Sequence, residues 1–191
     1  MNLGPPLFRN FYTSFDAAFH PRVPLLYSHE IAASYLSRRR PGNICSRPIY
    51  GVDPLVQIKQ EFIDEMVAHS KADLPNECCG ILAGPDNQVM KCYPMSNVEA
   101  SPFRFSMDPA ELVNVDSEAG ENNWELLAIY HSHTGSEAYP SDTDVRIAGG
   151  TAGLWPDVRY VLVSLMDMDN PVVRIFEIAG GVVTEEPLEV V

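Results

Sequence analysis

Trp124 to Asp144, WELLAIYHSHTGSEAYPSDTD, is the stretch on which the fold and the chemistry of this 191-residue chain turn. Its first seven residues, Trp124 to Tyr130, form an apolar, β-prone run, so a strand is expected to carry on into His131-Ser132-His133. Residues two apart on a strand face the same side, so both imidazoles can reach one ion. Seven residues separate His133 from Ser141, and Asp144 follows three positions later. Catalytic zinc typically takes three nitrogen or oxygen ligands at about 2.0–2.2 Å and leaves its fourth position to water. His131, His133 and Asp144 meet that count and imply an open metal site. Plainer readings stand beside it. H-x-H on a strand is common without a metal, and Ser141 with an acid three residues on is also a helix start. The cap and the metal are compatible, because the cap would hold Asp144 in a first helical turn facing the strand.

Upstream, Glu77 stands in Pro75-Asn76-Glu77-Cys78-Cys79-Gly80-Ile81-Leu82-Ala83-Gly84, an acid opening an apolar strand. A buried carboxylate is costly without a partner, and a water at the metal would provide one. With Glu77 included, Glu then H-x-H-x7-S-x-x-D resembles the motif of the JAMM (MPN+, JAB) metallopeptidases at every motif position. Thr134 stands where the eukaryotic deubiquitinating members usually carry proline, and the HNHPSG-like string of the DNA-repair-associated bacterial branch is absent. The His131–Asp144 string, Pro75–Gly84, Tyr93-Pro94-Met95-Ser96-Asn97 and Thr184-Glu185-Glu186-Pro187 look most similar to the Mec-type hydrolases of actinobacteria. The resemblance runs from about residue 55 to the end.

That resemblance implies a cytidine-deaminase-like JAMM architecture, one zinc per chain on His131, His133 and Asp144, and catalysis by Glu77 and Ser141. Zinc would polarise the scissile carbonyl and acidify its water. Glu77 would move the proton from that water to the leaving amine, and Ser141 would donate a hydrogen bond to the oxyanion. The implied reaction is release of cysteine from the C-terminus of a ubiquitin-like sulfur-carrier protein, a partner with a Gly-Gly tail, in cysteine biosynthesis. An isopeptidase acting on ubiquitin-like conjugates would use the same five residues. A nucleobase deaminase would need H-x-E and P-C-x-x-C, which are missing. A scaffold domain of this fold would normally have lost motif residues.

Length and composition suit one soluble globular domain. No apolar run approaches a membrane span. Charge is uneven: residues 1–50 hold six Arg against two acids, +4, so the remainder carries −17 and the whole chain −13. An acidic catalytic domain argues against nucleic acid as partner. Cys45, Cys78, Cys79 and Cys92 form no C-x-x-C pair, and the chain reads as cytoplasmic with reduced thiols. Cys78 and Cys79, adjacent in a strand, should point to opposite faces.

Residues 1–50, broken by prolines and by Arg38-Arg39-Arg40-Pro41-Gly42, read as a disordered or loosely docked extension in which Ser28–Arg39 could make a short helix. Residues 51–191 read as the catalytic domain, an α/β fold with a mixed sheet and flanking helices. Helical spacing predicts an amphipathic helix from Gln57 to Asp73, with His69 in its last turn as a surface residue. Strands are expected at Cys79–Ala83, Val89–Tyr93, Pro102–Phe105, Tyr160–Leu165, Val172–Ile178 and Val182–Val190. Further helices should start at Asp108-Pro109 and at Ser141. Ser101–Ser106 is the candidate edge for an extended substrate tail.

Overall fold

The computed structural model describes residues 55–191. The extension, its Ser28–Arg39 helix and Cys45 lie outside the described residues. In chain order the elements are β1 (Gln57–Ile58), α1 (Gln60–Ala72), β2 (Cys79–Gly84), β3 (Lys91–Met95), α2 (Pro109–Glu121), β4 (Glu125–His133), α3 (Asp142–Thr151), β5 (Arg159–Ser164), β6 (Val172–Ala179), β7 (Val182–Glu186) and β8 (Glu189–Val190). Six strands form one mixed sheet in the order β3-β2-β4-β5-β6-β7, and β1 pairs with β8 in a separate two-stranded sheet.

β4 and β5 run parallel, joined across the sheet by α3, and the other neighbours in the large sheet are antiparallel. Strands buried on both faces need apolar runs rather than alternation, and β2 and β5 are buried at every position. Two hydrophobic clusters result, one on each side. α1 contributes Ile63 and Met66 to one, beside Tyr130 and Val161. α2 and α3 contribute Val115, Ala119 and Ala148 to the other, beside Ile129 and Leu162. Tyr130 and His131 are neighbours on β4, so β4 offers its histidines to the side covered by α2 and α3. Cys78 and Cys79 also divide between the two clusters, as a strand requires.

Local chemistry explains the connections. The β6–β7 hairpin turns on Gly180 and Gly181 at φ +58° and +82°, a two-residue loop suited to glycine. Asp86 and Asn87 take left-handed φ in the turn between β2 and β3. Asp108 caps α2 by accepting from Ala110 and Glu111 N–H, ahead of Pro109.

Several expectations shift. Gln57 and Ile58 are drawn into β1 by pairing with Glu189 and Val190, so the first helix begins at Gln60. The second strand of the β2–β3 hairpin lies at Lys91–Met95, two residues later than expected. Val182–Val190 divides at Pro187, which has no N–H to continue the ladder. Pro102–Phe105 is no strand: between Asn97 and Met107 there is a single isolated bridge. The Asn97 side chain occupies backbone groups that a ladder would need, competing as short polar side chains do. Ser101–Ser106 is therefore a loop and not a ready-made edge. His69 is half-buried rather than exposed, with Nδ1 2.8 Å from the Tyr130 hydroxyl and Nε2 3.4 Å from Asp73.

Candidate metal centre

His131 and His133 occupy the last turn of the pleat of β4, and Asp144 sits in the first turn of α3. Side-chain exposure is 1% at His131 and 6% at both His133 and Asp144. The capping box that the Ser141–Asp144 spacing predicts is present: Asp144 N–H donates to Ser141 Oγ, while Ser141 N–H and Oγ–H both donate to Asp144 Oδ2 at 2.7 Å. The cap thus aims the carboxylate at the two imidazoles.

The two imidazole nitrogens and the Asp144 carboxylate converge, with one ligand atom from each residue lying within 4.8 Å of the others. Nε2 of His131 lies 3.2 Å from Nε2 of His133 and 3.3 Å from Asp144 Oδ1, and His133 Nε2 lies 3.4 Å from Asp144 Oδ2. A tetrahedral ion with bonds of about 2.0–2.2 Å separates its ligands by about 3.3–3.6 Å. Two imidazoles and one carboxylate at these separations fit a divalent transition metal, and this is the one such group among the described residues.

The tautomer of His133 and the burial of His131 favour the same use. His133 Nδ1 is 2.8 Å from the Glu137 carbonyl, which can only accept, so Nδ1 carries the proton and Nε2 keeps its lone pair. Burial pushes the His131 pKa down and outweighs the pull of Asp144, keeping the ring neutral as a metal ligand must be. At His133 burial also works against the cation, but Asp144 and the Glu137 carbonyl leave its pKa raised. Burial alone would raise Asp144, yet the two imidazoles and the Ser141 hydroxyl hold it well below the usual carboxylate range. His131 Nδ1 is buried and finds no partner among the described residues, while Phe105 stacks on its ring at 4.6 Å.

Glu77 lies two residues before β2, the strand that pairs with β4 and whose Cys79 stands opposite His131. It is 5% exposed. Burial raises its carboxyl to about 7, with His133 lowering it and Asp144 raising it further, so it is electrostatically coupled to the ligand set. Its N–H donates to the Ser101 carbonyl and its carbonyl accepts from Asn97 Nδ2. The next N–H, at Cys78, donates to the Oγ of Ser132, the residue between the two histidines. His131 and His133 on β4, Asp144 in α3 with Ser141 as its cap, and Glu77 ahead of β2 therefore lie on or beside three elements.

Sequence reasoning assigns no role at the site to four residues found there: Asn97, Phe105, Ser132 and Glu137. Glu137 and Ser132 act through a carbonyl and a hydroxyl that no spacing reveals. Asn97, two residues past a strand, enters the sequence reading only within the Tyr93–Asn97 string of the resemblance and not for its own side chain.

Comparison with known proteins agrees with this geometry. Residues 59–178 match the family described as prokaryotic homologs of the JAB domain. The CysO-cysteine peptidase of Mycobacterium tuberculosis is 41% identical over 136 residues, 70% of this chain and 90% of that protein. A desampylase of Haloferax volcanii is 32% identical over 108 residues, 53% of this chain and 74% of the relative. Among solved structures, the protein DSY2949 from Desulfitobacterium hafniense is 34% identical with a TM-score of 0.60, covering 72% of this chain and 92% of its own.

Proposed function

The chain belongs to the family of prokaryotic JAB-domain proteins, and from that premise we propose that it is a zinc-dependent hydrolase releasing the C-terminal cysteine of a ubiquitin-like sulfur-carrier protein. The convergence of the buried His131, His133 and Asp144, with contacts of 3.2–3.4 Å between the two imidazoles and the two carboxylate oxygens, is the observation that carries the reading. Zinc is assigned because two neutral imidazoles and a carboxylate are a usual donor set for it in hydrolases. When bound, the ion supplies a Lewis acid for the scissile carbonyl and makes water at the site more acidic.

The protein's own residues do the rest. Glu77, with its carboxyl raised to about 7, takes a proton from the attacking water and passes it to the leaving amine. Ser141 turns its hydroxyl from Asp144 to the oxyanion, a contact worth about 3–4 kcal/mol where measured in other hydrolases. Its N–H, at 2.7 Å, keeps Asp144 oriented while the hydroxyl is away. Phe105 and the backbone around it exclude water from the His131 side. The partner we infer is a carrier with an extended, narrow Gly-Gly tail, a form that binds through main-chain hydrogen bonds. We assign the reaction to the cytoplasm, a compartment in which the free thiols of Cys78, Cys79 and Cys92 would stay reduced. No helix among the described residues is long and apolar enough to cross a membrane.

The desampylase relative favours a second reading, an isopeptidase acting on ubiquitin-like conjugates. Mass spectrometry separates the two: a carrier–cysteine adduct and a lysine-linked ubiquitin-like dimer are offered at equal enzyme. Faster release of cysteine is expected. Cleavage of the dimer with the adduct untouched would move the chain to the isopeptidase reading. Hydrolysis of neither, by protein carrying zinc, would leave the scaffold reading.

A further inference from the structure

We propose that Asn97 is a positioning residue for Glu77, an assignment that rests on the hydrolase reading above and names how the proton-transferring group is held. Glu77 precedes β2, beyond the last rung of the ladder between β2 and β4, so ladder bonds do not fix it. Asn97 follows β3 and spends its whole hydrogen-bonding capacity on this region. Nδ2 donates to the Glu77 carbonyl at 2.8 Å and to the Arg104 carbonyl at 3.1 Å. Oδ1 accepts from Glu99 N–H at 3.1 Å and from Ser106 N–H at 3.0 Å. Two donors and two lone pairs are all a carboxamide has, and the partners leave one orientation of the amide possible.

Two of those four partners, Arg104 and Ser106, flank Phe105, which stacks on His131. The same loop returns the Ser101 carbonyl to Glu77 N–H at 2.9 Å. One side chain therefore sets the distance between the backbone of Glu77 and the wall of the metal site. Ser132 Oγ holds the following N–H at 2.8 Å from the β4 side, so Glu77 is fastened between the histidine strand and the loop. Displacements of about 1 Å at a reacting group can cost about a hundredfold in rate, which is the scale such a tie protects.

The amide has a built-in dissection. Asn97→Asp keeps both acceptor bonds to Glu99 and Ser106, so the loop stays closed, but cannot donate to the carbonyls of Glu77 and Arg104. In full-length, zinc-loaded protein kcat for the carrier–cysteine adduct should fall at least about tenfold, with KM within about threefold and zinc near one per chain. In metal-free protein, amide exchange at Glu77 should accelerate at least about tenfold while Ser106 keeps its protection. Wild-type kcat in Asn97→Asp, or unchanged exchange at Glu77, overturns the proposal. So does a kcat loss that merely tracks zinc loss or deprotection of Ser106, because that is loop collapse. Should the aspartate variant not fold, Asn97→Ala is read by exchange at Glu77 alone, because alanine also removes the acceptor of the Ser106 N–H; unchanged exchange at Glu77 there overturns the proposal. A wild-type protein that cleaves no adduct and no conjugate refutes the hydrolase reading itself, and exchange at Glu77 still decides whether Asn97 makes the tie.

Discussion

Replacing Glu77 by glutamine should stabilise the metal-free protein at alkaline pH while removing its turnover. Burial is the main reason that the Glu77 carboxyl rises from 4.5 to about 7. Between those values the native state keeps a proton that the unfolded chain has released, so stability falls as pH rises. Above about 7 both states are ionised and the penalty is complete. At about 1.4 kcal/mol per pH unit the gap sets an upper bound of about 3.5 kcal/mol. Solvent screening at the mouth of the site reduces the realised figure to about 1–3 kcal/mol. Glutamine imitates the protonated acid and escapes the penalty. Urea unfolding with a chelator present should therefore give equal stabilities for wild type and Glu77→Gln near pH 4.5, and a more stable variant at pH 8.5. The same difference at both pH values would refute the argument. With zinc restored the amide cannot accept a proton from water, so kcat should drop by about two orders of magnitude or more. Normal kinetics with normal zinc would remove Glu77 as the base.

Asp144→Ala should deplete zinc, as read by metal analysis, and cost a further ~1 kcal/mol through the lost capping box; full zinc retention would remove Asp144 from the ligand set. Gly80→Ala should lower the thermal midpoint by several degrees, because an added Cβ would lie 2.3 Å from the Tyr130 ring and 2.4 Å from the Tyr93 carbonyl oxygen. The cost of such overpacking is typically ~1–3 kcal/mol, and an unchanged midpoint would show that the strand can shift. Deleting residues 1–50 should leave hydrolysis and the melting transition largely intact; aggregation or a much lower midpoint would make that segment part of the fold.

The motif and the helix starts were legible because their chemistry is local. Asp108-Pro109 and Ser141 with Asp144 announce caps through contacts three residues long. The apolar run into His131 announces a strand. What escaped detection is chemistry set by distant partners. β1 exists because Gln57 and Ile58 meet Glu189 and Val190, and no window around residue 57 contains that pairing. The loop at residues 98–106 escaped because β-prone Phe103 and Phe105 point to a strand, while Asn97 diverts the backbone groups. His69 reads as a surface cation until Tyr130 is placed beside it from the sheet.

The two-residue ladder of β1 with β8 also bears on the order in which the domain closes. Gln57 and Glu189, joined by a side-chain hydrogen bond, are 132 residues apart. Bringing such ends together in an open chain costs about 4 kcal/mol in loop entropy, more than two short rungs return. The contact can form only after the large sheet has already drawn both ends to one corner. It is thus a late event in folding and an early one in unfolding. Ile58, fully buried, and the Val191 N–H on its carbonyl mark that event. Exchange at Val191 should therefore report fraying at this corner separately from any loosening of the strand that carries the histidines.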